Sequence, residues 1–302
     1  MKSEFAEKQY ENFLNAELYA IPSDQVAEKV LGYDATALPP ANDPIWSYLG
    51  YPPSFSLSGT VLYPQHWTNS PGGNPTTKQL AMTNIQSTSL VLQYKRSEYL
   101  KTKNSRQYHL WNRPYYRFAV DAHQQKVLEI LENNLSKSAL VRYVAPNFHT
   151  IQEIALNRQN RAIAKESGYV SPSKLKGHYY WTFTTPGSWG KANVFRGEYE
   201  TFEKLETLIN KLQRLSTDDL KNTIIKTANG FLDTLNELNL YYTERDKSKS
   251  EQIEFLLNLL QSDDNSLISG AENEEILKSL RIIEYSKIFL NVDWKLCLFS
   301  LD

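Results

Sequence analysis

The segment SLVLQYK at residues 89–95 decides how the rest of the chain is interpreted. It begins with β-prone apolar residues and becomes polar at its end, which predicts a buried strand that emerges at the edge of a sheet. Side chains alternate between the two faces of a strand, so Gln93 and Lys95 should share one face while Tyr94 points to the other. The segment therefore predicts an amide and an amine side by side where a strand ends.

The residues that follow predict a crossover between parallel strands. Residues 115–120 have a β-prone pattern, and residues 122–135 place their apolar side chains on one face of an amphipathic helix. The helix leads into another apolar strand at 139–144. A strand, a helix and a strand with short joins are typical of a unit that carries a parallel pair. We therefore expect an α/β fold in this part of the chain.

Two regions precede the segment at 89–95. Residues 4–18 place apolar side chains near helical spacing and predict a first helix. Residues 38–79 hold eight of the 13 prolines together with many aromatic residues, a load that flexible linkers lack. We therefore expect an ordered insertion at about 38–88, with one short strand near 59–63.

The C-terminal third is predicted to be mostly helical. Four segments carry leucine and isoleucine at helical spacing: 200–214, 217–239, 250–261 and 272–290. Only residues 294–301 have an extended pattern again. We expect an α/β domain at 1–198 and a helical region at 199–302. The apolar helices at 250–290 are candidates for binding a protein partner or a second copy of the chain.

The composition is that of a globular protein. The chain has 302 residues, of which 41% are hydrophobic and 22% charged, which suits one large domain or two modest ones. The single cysteine, Cys297, rules out an intramolecular disulfide and a multi-cysteine zinc site. No apolar stretch reaches the roughly 20 residues that span a bilayer, and the charged N-terminus is unlike a secretory signal. We therefore expect a cytoplasmic protein that does not enter the membrane.

Several common site chemistries lack their sequence signatures. The five histidines include no pair at metal-ligand spacing. The sequence PGGNP at residues 71–75 has neither the length nor the lysine of a phosphate-binding loop. A Gly-x-Ser-x-Gly elbow is also missing. A histidine zinc site, a P-loop NTPase and a serine hydrolase are therefore not predicted.

Basic residues concentrate directly after the strand at 89–95. The net charge is only −1, yet residues 90–117 carry seven lysines and arginines against a single acid, Glu98. Candidate phosphate contacts among them are Arg96, Lys101, Lys103 and Arg106. Aromatic residues interleave with these cations and could stack on nucleic-acid bases. A solvated basic loop would show the same pattern, and the sequence leaves the two interpretations open.

The end of the strand resembles the third motif of the PD-(D/E)xK nuclease superfamily. In that motif an (E/Q)xK tripeptide ends an apolar strand, and it follows an Asp and a helix that bears Glu. Here the tripeptide is Gln93-Tyr94-Lys95, and the Asp is Asp34 within Gly32-Tyr33-Asp34-Ala35. The order of the helices and strands over residues 4–150 also resembles that superfamily. The segments Ile21-Pro22-Ser23 and Tyr143–Phe148 are similar to those of uncharacterised bacterial nuclease-like proteins of antiviral defence.

The resemblance implies both a fold and an activity. The fold would be a restriction-endonuclease-like core, in which a central mixed sheet is flanked by helices. The activity would be hydrolysis of phosphodiester bonds, with DNA as the expected substrate and Mg²⁺ or Mn²⁺ as the cofactor. Such a cation takes oxygen ligands, polarises the phosphate and orients the attacking water.

The resemblance also assigns roles to residues. Asp34 and Gln93 would bind the metal, together with a carboxylate from the first helix. Glu17 and Glu11 compete for that place, and Glu17 is preferred because it lies nearer the turn that leads to Asp34. Lys95 would stabilise the attacking water or the charge of the phosphate. Gln93 stands where Glu is commoner, which supplies a neutral ligand and implies weaker metal binding.

A different class of function fits the same residues. Asp34 also suits a turn after Gly32, Lys95 a surface position at a strand end, and Glu17 a solvated helix face. On that interpretation the chain is a non-catalytic scaffold that binds nucleic acid or protein on a degenerate nuclease fold.

Overall fold

The computed structural model describes the helices and strands of residues 1–18, 61–62, 85–187, 189–191, 200–261 and 274–300. Helices α1 to α8 lie at Glu7–Leu18, Tyr108–Trp111, Ala122–Leu135, Ile151–Gln159, Leu205–Leu215, Leu220–Thr243, Lys247–Gln261 and Glu274–Phe289. Strands β1 to β10 lie at Val61–Leu62, Ile85–Tyr94, Glu98–Leu100, Tyr115–Ala119, Ala139–Pro146, Ser167–Val170, Tyr180–Phe183, Trp189–Gly190, Glu200–Thr201 and Asp293–Ser300. Asp34 and most of the predicted insertion at 38–88 lie outside these described residues.

A five-stranded mixed sheet organises the molecule, with strand order β1-β10-β2-β5-β6. Strand β2 pairs in parallel with β5 on one side and antiparallel with β10 on the other. Residues Leu90, Val91 and Leu92 of β2 are all fully buried, as expected for a central strand that is covered on both faces. The predicted mixed α/β fold, with a sheet flanked by helices, is confirmed.

Each face of this sheet has its own hydrophobic core. Leu90, Leu92 and Tyr94 face a core that also contains residues of α1, α4 and α5. Val91 faces the opposite core, which contains residues of α3, α6, α7 and α8. Alternate residues of β2 therefore enter different cores, as the period of a strand requires.

Helix α3 is the predicted amphipathic helix at 122–135, and it has those same bounds. Asp121 is its N-cap and accepts a hydrogen bond from the backbone N–H of Gln124, at 2.9 Å. Leu128, Leu131 and Leu135 are fully buried on its apolar face. The helix is thus defined by a cap at one end and an apolar stripe along its length.

The parallel pair involves a different strand from the one predicted. Strand β5, which follows α3, pairs with β2, whereas β4 belongs to a separate three-stranded sheet of order β3-β4-β7. Strand β4 is buried only at Tyr115 and Phe118, so it suits a half-covered antiparallel sheet rather than the centre of a parallel one.

The C-terminal region is helical, as predicted, but it shares the main sheet with the N-terminal region. Strand β10 pairs with β2 over eight residues, from Asp293 opposite Leu92 to Ser300 opposite Ile85. In helix α7, Ile253, Leu256, Leu257 and Leu260 are buried in the core of this chain. A protein partner or a second copy bound to these helices stays a prediction.

Among the described helices, none is both long enough and apolar enough to cross a membrane.

Candidate active site

Gln93 lies at the end of β2 with an unpaired oxygen. Its side chain is buried, and its Nε2 donates to the backbone carbonyl of Tyr94 at 3.3 Å. Its Oε1 is fully buried and accepts no hydrogen bond from the residues that the structure describes. A buried acceptor without a donor is costly, so such an atom in a native protein calls for an explanation, of which an absent ligand or ion is one.

Lys95 follows Gln93 on the same face of the strand. Its backbone N–H donates to the carbonyl of Val144 at 2.9 Å, which extends the pairing with β5 by one residue. Its Nζ lies 5.6 Å from the centroid of the Tyr143 ring. Partial burial lowers the pKa of Lys95, and the negative charges of Glu7 and Asp121 oppose that effect. The ammonium group is thus partly buried near the Tyr143 ring, and the charges of two carboxylates act on it.

Glu7 and Asp121 reach this site from the starts of two helices. Glu7 lies in the first turn of α1, and its Oε2 accepts a hydrogen bond from the backbone N–H of Arg96 at 3.2 Å. Burial raises the pKa of Glu7, and the positive charge of Lys95 opposes that effect in part. Backbone hydrogen bonds from Gln124 and His123 outweigh burial and lower the pKa of Asp121.

Sequence reasoning missed both of these carboxylates. Asp121 carries a recognisable signal, since an Asp directly before an amphipathic segment is a typical N-cap. Glu7 carries no such signal, because an acid in the first turn of a helix is explained by the helix dipole alone.

The Tyr143 ring near the Lys95 ammonium group is fixed by a chain of buried hydrogen bonds. The Tyr143 hydroxyl donates to Gln125 Oε1 at 2.9 Å. The Nε2 of Gln125 is 2.7 Å from both Glu129 Oε1 and the Pro172 carbonyl oxygen, and it donates to both. Because each member is hydrogen-bonded, the Tyr143 ring is held in place under the ammonium group.

Tyr94 points to the opposite face of the strand, as predicted. Its hydroxyl lies 2.7 Å from Asn15 Oδ1 on α1 and 2.7 Å from Asp293 Oδ2 at the start of β10. Asp293 Oδ2 also lies 3.0 Å from the Nζ of Lys295. The middle residue of the tripeptide is therefore attached to the first helix and to the last strand.

The structure gives Glu17 a different set of contacts. Its two carboxylate oxygens accept hydrogen bonds from the backbone N–H groups of Ile163, at 2.8 Å, and Ala164, at 2.9 Å. Glu17 is ten residues along α1 from Glu7, which is about 15 Å at the rise of an α-helix. The first-helix carboxylate that acts on Lys95 is Glu7, and the metal-binding role of Glu17 stays a prediction.

The four predicted phosphate contacts are all exposed. Arg96 follows Lys95 directly, and Lys101, Lys103 and Arg106 lie in the loop after β3. None of the four side chains forms an ion pair with another residue of the described ranges. Their charges are thus available to an anionic partner.

Most aromatic residues of the same stretch are used inside the protein. Tyr115 is fully buried. Tyr99 packs against Tyr116 and His149, with ring centroids 5.0 and 4.6 Å away. The Nε1 of Trp111 donates to Thr182 Oγ1 at 3.2 Å. The stretch therefore offers cations to solvent and keeps most of its rings for packing.

The described residues alone do not complete a metal site. They contain no group of three His, Cys, Asp or Glu side chains placed to hold an ion. Gln93 supplies one buried oxygen that has no hydrogen-bond partner among the described residues, and Glu7 is bound to the backbone of Arg96, while Asp34 lies outside the described ranges.

A polar cleft of about 310 Å³ lies elsewhere and is lined by none of the predicted site residues. Arg142 in its wall is buried, and its Nε donates to Glu203 Oε2 at 3.2 Å. Lys211 also forms an ion pair with Glu203. These mutual pairs account for the buried charges of the cleft.

Comparison with known proteins gives no match, whether with protein-family models, with curated proteins or with solved structures.

Proposed function

We propose that the protein is a metal-dependent nuclease that hydrolyses phosphodiester bonds of nucleic acid, with DNA as the expected substrate and antiviral defence as its setting. One observation carries the proposal. At the end of β2, the unpaired buried oxygen of Gln93 stands beside a partly buried ammonium group, Lys95. The proposal places this pair on a restriction-endonuclease-like core, as the tripeptide motif suggests.

The polar side chains near the end of β2 would bind the metal ion. Gln93 Oε1 and Asp34 would hold Mg²⁺ or Mn²⁺, with a carboxylate of α1 as a further ligand. Glu7 is the carboxylate near Lys95, and Glu17 is the one favoured by the sequence. A bound divalent cation would polarise the phosphate and orient the attacking water. Gln93 offers a carbonyl-type oxygen without charge, so metal affinity would depend on the carboxylates.

Lys95 would act on the charge that develops during cleavage. A partly buried ammonium group interacts more strongly with a phosphate oxyanion than a fully solvated one does. Glu7 and Asp121 oppose the effect of burial on the pKa of Lys95, which favours its protonated form. Tyr143 beneath the Nζ restricts where the ammonium group can lie.

The substrate would approach over the exposed cations. Arg96 adjoins Lys95, and Lys101, Lys103 and Arg106 follow in the next loop. Lysine and arginine neutralise phosphates without reading bases, so binding through these residues would be salt-dependent and tolerant of sequence.

A cleavage assay with matched variants tests the proposal. The purified full chain is incubated with duplex DNA, single-stranded DNA and RNA, in Mg²⁺, in Mn²⁺ or in EDTA. We expect metal-dependent cleavage that Asp34→Ala and Lys95→Ala each reduce at least a hundredfold, while the exposed Lys137→Ala retains it. Cleavage that persists in EDTA, or that is equal in all variants, would overturn the assignment.

A non-catalytic scaffold is the second candidate, and the neutral amide at Gln93 favours it. On that view the chain binds nucleic acid or protein without cleaving it. Binding in EDTA that survives Lys95→Ala, together with no cleavage in any metal, would select this candidate.

A further inference from the structure

Tyr179 has the most exposed large aromatic side chain in the part of the chain that the structure describes. It is 75% exposed, compared with 56% for Phe255 and 38% for Phe289. Its backbone is fixed, because its carbonyl oxygen accepts the N–H of Val120 at 2.8 Å and strand β7 begins at the next residue. A ring that projects from a fixed backbone needs little ordering when it meets a flat partner.

Tyr179 is joined to the candidate active site through the backbone of Val120. Its hydrogen-bond partner Val120 directly precedes Asp121, and the charge of Asp121 acts on Lys95. Val120 N–H and Tyr179 carbonyl continue the pairing of β4 with β7 beyond Ala119 and Tyr180. Strand β3 begins three residues after Lys95 and pairs Glu98 with Arg117, so the exposed ring belongs to the end of the second sheet at which the chain arrives from Lys95.

The neighbouring rings are already covered. Tyr180 lies under the guanidinium of Arg117, whose Cζ is 4.5 Å from the ring centroid. Lys191 Nζ lies 5.3 Å from the centroid of the Trp111 ring. Tyr179 is more exposed than either of these rings, and its backbone pairs with Val120, the residue before Asp121.

We propose that Tyr179 stacks on a nucleobase of a single-stranded segment that enters the site beside Lys95. The inference rests on the proposed function, because it assumes a nucleic-acid substrate at Lys95. Every base offers a π face, so such a contact selects unpaired bases without selecting their sequence. Phosphates would be held by Arg96 and the cations of the following loop, and the base by the Tyr179 ring.

The test measures binding in EDTA, so that cleavage does not interfere. Fluorescence anisotropy compares two labelled strands of equal length, about 15 nucleotides. One is oligothymidylate, and the other carries the same phosphates on abasic sugars. We expect Tyr179→Leu to weaken oligothymidylate binding about tenfold and to leave abasic binding unchanged. Tyr179→Phe keeps the ring and should bind like the native chain, as should the distant control Phe255→Leu.

Each other outcome decides between the two proposals. Equal binding of both strands by the native chain, with no effect of Tyr179→Leu, overturns the stacking contact and leaves the nuclease proposal standing. Equal weakening of both strands by Tyr179→Leu, or weakening by Tyr179→Phe as large as by Tyr179→Leu, also overturns it. Binding of neither strand by the native chain overturns nucleic acid as the substrate, and the stacking contact with it.

Discussion

The hydroxyl oxygen of Tyr94 lies 2.7 Å from a carboxylate oxygen of Asp293, although 199 positions separate the two residues in the chain. Tyr94 is the middle residue of the Gln-x-Lys tripeptide, and Asp293 is the first residue of β10. Asn15 of α1 joins the same cluster through its own contacts to both residues. The first helix and the last strand therefore fix the residue between Gln93 and Lys95.

Removing the two ends of this contact should have unequal effects on stability. Tyr94→Phe deletes one buried hydroxyl and should lower the free energy of unfolding by about 1–2 kcal/mol. Asp293→Ala should cost more, about 3 kcal/mol, because it removes one charged oxygen that Tyr94, Asn15 and the nearly buried Lys295 all contact. Urea unfolding followed by circular dichroism measures both values. A larger loss for Tyr94→Phe than for Asp293→Ala would contradict the arrangement.

Changing Glu17 and Glu7 to glutamine should have different effects on stability and on cleavage. Glu17→Gln weakens the hydrogen bonds that fix Ile163 and Ala164, so it should lower the free energy of unfolding by about 1 kcal/mol. Under the nuclease proposal, Glu7→Gln should reduce cleavage more than Glu17→Gln, because Glu7 is the carboxylate that acts on Lys95. Unfolding and single-turnover cleavage, measured on both variants, check the two halves. Stronger loss of cleavage in Glu17→Gln would return the metal-binding role to Glu17.

The exposed cations should set how steeply nucleic-acid binding depends on salt. Each phosphate contact contributes about 0.7 to the slope of log K against log salt concentration for a single strand. The triple variant Lys101→Ala, Lys103→Ala and Arg106→Ala should therefore lower the slope by about 2. The matched control removes three exposed cations of other surfaces, through Lys137→Ala, Lys165→Ala and Arg214→Ala. Similar slopes for the two triple variants would show that net charge, and not this loop, governs binding.

The elements that sequence predicted best are those with a strong local pattern. Helix α3 has an Asp N-cap and an apolar stripe, and its predicted and observed bounds agree. The end of β2 likewise follows from alternation, which places Tyr94 on one face and Lys95 on the other. Both rules act within a few residues, so they are visible in the sequence itself.

The pairing of distant strands could not be predicted in the same way. Strand β10 lies between β1 and β2. Strand β5 pairs with β2 and not with β4, which belongs to the second sheet. An extended apolar pattern predicts a strand but not the strand with which it pairs. That pairing depends on how side chains pack in both hydrophobic cores. The approach of Glu7 to Lys95 has the same origin, since the position of α1 along the sheet decides which carboxylate reaches the end of β2.

Lys95 should give the stability of the protein a distinctive pH dependence. Its pKa in the folded protein is lower than that of an ordinary lysine, so between the two values the unfolded chain binds more protons than the folded one. The contribution of this residue to the free energy of unfolding therefore rises with pH between the lowered pKa of the folded protein and the ordinary lysine pKa of about 10.4. Lys95→Met lacks the contribution, and the unfolding free energy of the native chain minus that of the variant should become more positive over the same range. Urea unfolding at several pH values measures it, with the exposed Lys137→Met as a control whose difference stays flat.

The neighbouring carboxylate gives this prediction a second, independent check. Glu7 opposes the effect of burial on Lys95, so Glu7→Gln should lower the pKa of Lys95 further. Carbon-13 labelling of lysine allows that pKa to be followed by NMR in both proteins. The difference in unfolding free energy should then begin to rise at lower pH in the Glu7→Gln background. An unchanged pKa would mean that Glu7 and Lys95 do not interact in solution, and it would remove Glu7 from the candidate site.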